Sequence, residues 1–161
     1  MSPRIAIYPG TFDPVTKGHV DILSRASRLF DEVIIGVATS ARKTPLFDIK
    51  TRIQLCTSSV ASLENVHVLS LDGMLVDFAK AHHAAYIIRG IRSSEDMNYE
   101  LSLATMNRQL SHDTCETIFL AAHESYAHIS STIVREIMSL KGDVSAFVPE
   151  CVLREIKNHG A

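Results

Sequence analysis

Five short runs rich in isoleucine, valine and leucine recur along the chain, at Ile5–Tyr8, Val33–Ala38, Val66–Leu71, Tyr86–Ile88 and Thr117–Ala122. Runs this short and this apolar read as strands buried on both faces, and the longer segments between them carry apolar residues at helical spacings of three and four. Such alternation predicts a parallel sheet with helices packed against both sides and right-handed crossovers. In sheets of this kind ligands bind beyond the C-terminal strand ends, where the strand order reverses.

The intervening segments fill in the pattern. The first helix is predicted from Gly18 to Leu29, with Val20, Leu23, Ala26 and Phe30 on its apolar stripe. Asp48 is placed to cap a second helix running through Ile49, Ile53 and Val60, after a polar loop that carries Arg42 and Lys43. Leu71-Asp72-Gly73 signals a turn into a third helix, where Met74, Leu75 and Phe78 read as core. A long helix with Tyr99, Leu101, Leu103, Met106 and Leu110 follows Ile88–Ser94. Ser130-Ser131-Thr132 supply capping hydroxyls for a helix through Ile133, Ile137 and Met138 that stops near Gly142, and Pro149 suits the first turn of a last short helix. The expected architecture is α/β, a Rossmann-like five-stranded parallel sheet with helices on both faces and a C-terminal helical tail, forming one domain over residues 1–161.

Composition agrees with that picture. At 161 residues, 46% hydrophobic and 21% charged, the chain suits one globular domain with a real core. No stretch approaches the length of apolar sequence that crosses a bilayer, and the N-terminus opens on a strand-like segment rather than an export signal, so the expectation is a cytoplasmic protein that does not engage membranes. A net charge of -2 and pI near 6.4 exclude the basic excess of a general nucleic-acid binder, so any anion site must be local. Cys56, Cys115 and Cys151 lack the spacing of a disulfide or zinc framework and read as small apolar fillers. No metal-ligand set is expected; of the eight histidines, His82, His83, His112 and His159 lie in polar or terminal surroundings.

The remaining polar clusters all fall just after predicted strands: Gly10 to His19 after the first, Arg42-Lys43 after the second, Arg89 and Arg92 after the fourth, Ser130 and Ser131 after the fifth. In a parallel sheet they converge on one rim, and cations beside helix N-termini form a site for a polyanion. His19 starts a helix, where either protonation state can donate to a phosphate, and Gly18 beside it leaves room for close approach. Arg89 ends an apolar strand and needs an anionic partner, which is either a ligand or a carboxylate such as Glu100 or Asp96. Taken singly, Arg42 and Lys43 read as solvated loop cations. The fingerprints of P-loop kinases, dinucleotide dehydrogenases, nucleophile-elbow hydrolases and metalloproteases do not occur.

Two of these segments carry a family resemblance. Thr16-Lys17-Gly18-His19 resembles the (T/H)xGH signature of the nucleotidylyltransferases, and Ile129–Arg135 resembles their ISSTxxR signature. Tyr8–Pro14, Ile88–Arg92, Tyr99-Glu100, Gly142–Val144 and Val148-Pro149 extend the likeness to the bacterial phosphopantetheine adenylyltransferase family over nearly the whole chain. That resemblance implies transfer of the adenylyl group of ATP to 4′-phosphopantetheine, giving dephospho-coenzyme A and pyrophosphate. It implies His19, Thr11, Lys43 and Arg92 as catalytic residues. It also implies that Thr11, Phe12, His19, Gly90, Ile91, Arg92, Glu100, Tyr126, Ala127, His128, Ile129, Ser130, Ser131 and Thr132 bind ATP, and that Thr11, Lys43, Leu75 and Arg89 hold phosphopantetheine. Magnesium is expected to arrive with ATP, coenzyme A to act as feedback ligand, and the chain to assemble as a homohexamer. Met97, Asn98 and His128 depart from the common pattern of that family. The same chemistry on another phosphorylated acceptor, or a noncatalytic nucleotide-binding module, are the alternatives.

Overall fold

A computed structural model describes residues 2–39 and 44–158. The polar loop with Arg42 and Lys43, and His159, lie outside the described residues. Five strands, β1 (Ile5–Gly10), β2 (Glu32–Ala38), β3 (Val66–Leu71), β4 (Tyr86–Ile91) and β5 (Glu116–Ala121), form one parallel sheet in the order β3-β2-β1-β4-β5. The helices are α1 (Lys17–Ala26), α2 (Ile49–Ser59), α3 (Leu75–Ala81), α4 (Ser94–Leu110), α5 (Ser131–Ser139) and α6 (Glu150–Asn158).

The chain moves from β1 outward to β3, then crosses back to β4 and on to β5, so the order reverses between β1 and β4. Because parallel crossovers are right-handed, a change of direction along the sheet moves the connecting helix to the other face. The two cores follow that rule. Ala6, Tyr8, Val33, Ile35 and Ile88 pack with residues of α1, α2, α5 and α6, whereas the alternating neighbours Ile7, Ile34 and Ile87 pack with Ala79 of α3, Ala84 and Cys115. Cys56 and Cys115 are buried as filler, and burial pushes their thiols up to about 12 and about 11.

Several boundaries differ from the pattern-based expectation. β1 and β4 run on to Gly10 and Ile91, because ladder pairing with β2 and β5 continues past the apolar runs. Helix α1 ends at Ala26, and Phe30 reaches the core from the turn beyond it. Met74 is not core: it is the N-cap of α3, half exposed, with Leu75 and Phe78 only partly buried, and Val76 and Ala79 form the buried face. The edge strands β3 and β5 are largely half exposed.

Candidate active site

At the C-terminal rim, where the strand order reverses, a cavity of about 810 Å³ is bounded by Gly10 to Asp13 after β1, Arg89 to Gly90 and Arg92 at β4, and Ile129 to Thr132 at the start of α5. The N-termini of α1 and α5 both open onto it, through Gly18-His19 and Ser130-Ser131. At α1 the Lys17 N–H is taken by the Phe147 carbonyl and the His19 N–H by Thr16 Oγ1, so the first-turn N–H groups left to face this space are those of Gly18 in α1 and of Ser131 and Thr132 in α5, an arrangement that favours phosphate.

His19 is fixed by the cap of its own helix. Thr16 is the N-cap of α1, and its Oγ1 accepts from the His19 N–H at 3.4 Å, while His19 Nδ1 accepts from the Thr16 N–H at 3.0 Å. This is a capping box in which an imidazole fills the place usually taken by Glu or Gln. A ring nitrogen that accepts from a backbone N–H carries no proton, so the neutral ring holds its proton on Nε2. The protonation left open by the sequence is thus assigned: Nε2–H is the donor available to a ligand. Burial, and secondarily the Arg92 charge, lower the His19 pKa to about 4. The Phe12 ring lies edge-on at 5.0 Å, completing the wall around the imidazole.

The cations are also oriented. Arg89 binds Glu100 through two parallel bonds, Nε to Oε2 at 2.6 Å and Nη2 to Oε1 at 2.7 Å. Arg92 pairs in the same manner with Asp96, at 3.2 and 3.3 Å. Each carboxylate grips one edge of a guanidinium and leaves Nη1 outside the pair. Arg89 therefore has the carboxylate partner the sequence allowed for, and still borders the cavity.

Four side chains, two of them from the second signature, hold the loop between β1 and α1. Asp13, almost fully buried, accepts the N–H groups of Leu46 and Phe47 at 2.7 and 2.9 Å. Arg135 Nη1 donates to the Asp13 carbonyl at 2.6 Å, and Ser131 Oγ to the Pro14 carbonyl at 2.8 Å. Arg52 Nη1 donates to the Thr11 carbonyl at 2.8 Å. Between these anchors Phe12 is held in the left-handed region at φ 49°. The sequence signal for Arg52 was a charge on the stripe shared with Leu55 and Cys56, the buried side of α2. Arg135 was visible as the last residue of the second signature.

The implied ligand set is gathered incompletely. Thr11, Phe12, His19, Arg89, Gly90, Arg92, Tyr126, Ile129, Ser130, Ser131 and Thr132 border the cavity. Glu100 does not; it is buried as the partner of Arg89. Ile91, Ala127 and His128 also fall outside its lining, and the His128 ring meets Phe147 at a centroid distance of 6.1 Å. Leu75 sits at the start of α3 and packs on the Ile7 and Ile34 face of the sheet. Lys43 lies outside the described residues. Gly18 has no packing reason to be glycine, since a Cβ there would meet Thr16 and Tyr126 only at ordinary contact, 3.6 and 3.7 Å.

A cytidylyltransferase-like family model matches residues 7–137. A Coxiella burnetii phosphopantetheine adenylyltransferase is 52% identical over 157 residues, 98% of this chain and 97% of that protein. One from Methylococcus capsulatus is 53% identical over 144 residues, 89% of this chain and 88% of that protein. Among solved structures, a Vibrio parahaemolyticus protein provisionally named a nicotinate-nucleotide adenylyltransferase superposes with a TM-score of 0.74 at 18% identity, covering 99% of this chain and 94% of that one. At that identity the likeness concerns the fold alone.

Proposed function

The chain belongs to the phosphopantetheine adenylyltransferases, within the cytidylyltransferase-like family, and its reaction is adenylyl transfer from ATP to 4′-phosphopantetheine, giving dephospho-coenzyme A and pyrophosphate; we propose that the transfer runs by direct in-line attack in the cavity between α1 and α5. A phosphate oxygen of the acceptor attacks the α-phosphorus of ATP. The bond from that phosphorus to the bridging oxygen breaks, and its electron pair leaves with pyrophosphate. The attacking oxygen is already ionised at neutral pH, so the protein supplies alignment and charge stabilisation rather than a base.

The observation that carries this reading is the His19 tautomer. With Nδ1 occupied by the Thr16 N–H, Nε2–H is a preset neutral donor for a nonbridging oxygen of the α-phosphate, where charge builds up as the bond forms. Thr11 is the second contact to that phosphate. Ser130 accepts the Ile133 N–H through Oγ and keeps its own proton to donate, so it and the first N–H groups of α5 hold the β and γ phosphates with Arg92. Ser131 Oγ donates to the Pro14 carbonyl and tethers the second signature to the loop that leads into the first. Arg89, through its remaining Nη1, and Lys43 hold the acceptor phosphate, with Leu75 beside the pantetheine arm. Magnesium enters as part of the nucleotide substrate; Asp13, the carboxylate bordering the cavity, already accepts two backbone N–H groups.

The same reading includes a homohexamer, a cytoplasmic location and coenzyme A as a feedback ligand competing for the pantetheine arm. No described helix is long and apolar enough to cross a membrane. The test is an assay with ATP, magnesium and 4′-phosphopantetheine, following pyrophosphate and dephospho-coenzyme A. Turnover that EDTA abolishes and coenzyme A inhibits competitively against phosphopantetheine is expected. Turnover with nicotinate mononucleotide in place of phosphopantetheine would reassign the acceptor, and binding of ATP without turnover on either would leave a nucleotide-binding module.

A further inference from the structure

Arg52 stands apart among the cations of the rim. It is only 3% exposed, it borders the cavity, and no carboxylate among the described residues lies within ion-pair distance of it. A buried guanidinium normally requires an anionic partner. This one instead donates to three backbone carbonyls: Nε to Phe47 at 3.0 Å, and Nη1 to Thr11 at 2.8 Å and to Ala38 at 2.9 Å.

Those carbonyls belong to three separate pieces of the rim. Thr11 follows β1, Ala38 is the last residue of β2, and Phe47 precedes the Asp48 cap of α2. Side chains on a helix lean toward its N-terminus, so a residue in the first turn of α2 reaches back to the strand ends from which the rim loops depart. Arg52 therefore ties Ala38, at the end of β2, and Phe47, just before α2, to the Thr11 peptide. The Thr11 carbonyl is one side of the peptide plane whose other side is the N–H of Phe12. Phe12 occupies the left-handed region, a conformation that persists only where its surroundings enforce it. Arg52 grips the peptide before Phe12, and Arg135 grips the Asp13 carbonyl after it.

We propose that Arg52 is a positioning residue for adenylyl transfer, a planar clip that fixes Thr11, the group facing the α-phosphate, relative to the end of β2 and the start of α2. This rests on the reaction assigned above. The clip needs the planar fork of arginine: a lysine keeps the charge but radiates its donors from one nitrogen and cannot span three carbonyls. Its positive charge, hydrogen-bonded to carbonyl oxygens and within electrostatic reach of Asp48, adds to the field that draws phosphate.

The experiment measures steady-state kinetics for Arg52→Lys and Arg52→Ala, with far-UV circular dichroism to verify folding and exposed Arg108→Ala as control. Misplacement of a reacting group by about 1 Å costs about 10²-fold. Both variants are expected to lose roughly that factor in kcat with KM for ATP and phosphopantetheine within about threefold. Millimolar guanidinium is expected to restore a substantial part of kcat to Arg52→Ala and none to Arg108→Ala. Wild-type kcat in a folded Arg52→Lys, or a loss in folded Arg52→Ala that guanidinium leaves unchanged, would overturn the proposal. Should Arg52→Ala fail to fold, Arg52→Lys decides alone: a fall in kcat without a fall in Tm supports the clip, and matched losses in both make Arg52 purely structural. Absence of turnover in the wild-type chain would instead overturn the assigned reaction, so the two failures are distinct.

Discussion

Three hydrogen bonds to Thr16 make His19 unlike a surface histidine. The sequence placed it at a helix start and left its charge open, because the Nδ1 contact depends on the folded cap rather than on residue type. The lowered pKa, about 4 against 6.5, has a definite sign for stability. Between those values the unfolded chain binds the proton and the folded chain does not. The His19 contribution is thus fully present above about pH 6.5 and is lost as pH falls toward about 4. Long-range nitrogen NMR on the free protein should show the Nε2–H tautomer and a titration near 4, which Arg92→Gln moves upward by removing a facing positive charge. An Nδ1–H tautomer, or titration at the ordinary value, would contradict the capping-box assignment. Other residues were misread for physical reasons. Met74 matched the helical period but is an N-cap, and Arg52 was passed over because its bonds go to backbone carbonyls, two of them on separate segments at Thr11 and Ala38, which residue type does not reveal.

Among the elements, the strands were the most legible, since a central parallel strand must be apolar on both faces; β2, flanked by β1 and β3, ends at Ala38 with its apolar run and begins one residue before it. The capping sites at Asp48 and Ser130 were legible too, each side chain accepting the N–H three residues on. Helix α4 was legible as a helix but not in its exposure. Within its seventeen residues only Glu100 is buried, whereas Tyr99, Met106 and Leu110 are 65%, 54% and 48% exposed. With partly buried Leu103 they recur at spacings of four, three and four, a stripe suited to packing against another helix. That stripe supports the proposed assembly. Sedimentation velocity is expected to give a species of six chains, reduced to smaller species by Met106→Glu with Leu110→Glu. A wild-type mass of 17.8 kDa would contradict it.

At the scale of the whole molecule, the β-α alternation announced the sheet, but the order of its strands depends on pairings between distant segments that local pattern does not encode. Once the order β3-β2-β1-β4-β5 is known, residues from Thr11 to Arg135 meet at one rim because the reversal leaves a crevice between β1 and β4. The second signature is then tied to the loop that leads into the first, by the Ser131 bond to Pro14 and the Arg135 bond to Asp13. Of the implied nucleotide set, Glu100, paired with Arg89, and His128, against Phe147, lie outside the cavity lining. The central claim, that this crevice lowers the barrier to transfer through a neutral His19 donor, is tested most directly by His19→Ala, measuring kcat beside the equilibrium affinity for ATP. Loss of one preset donor to developing charge predicts a fall in kcat of about 10²–10³-fold or more with the ATP Kd within about threefold; a kcat near that of the wild type, or a loss confined to ATP binding, would contradict it.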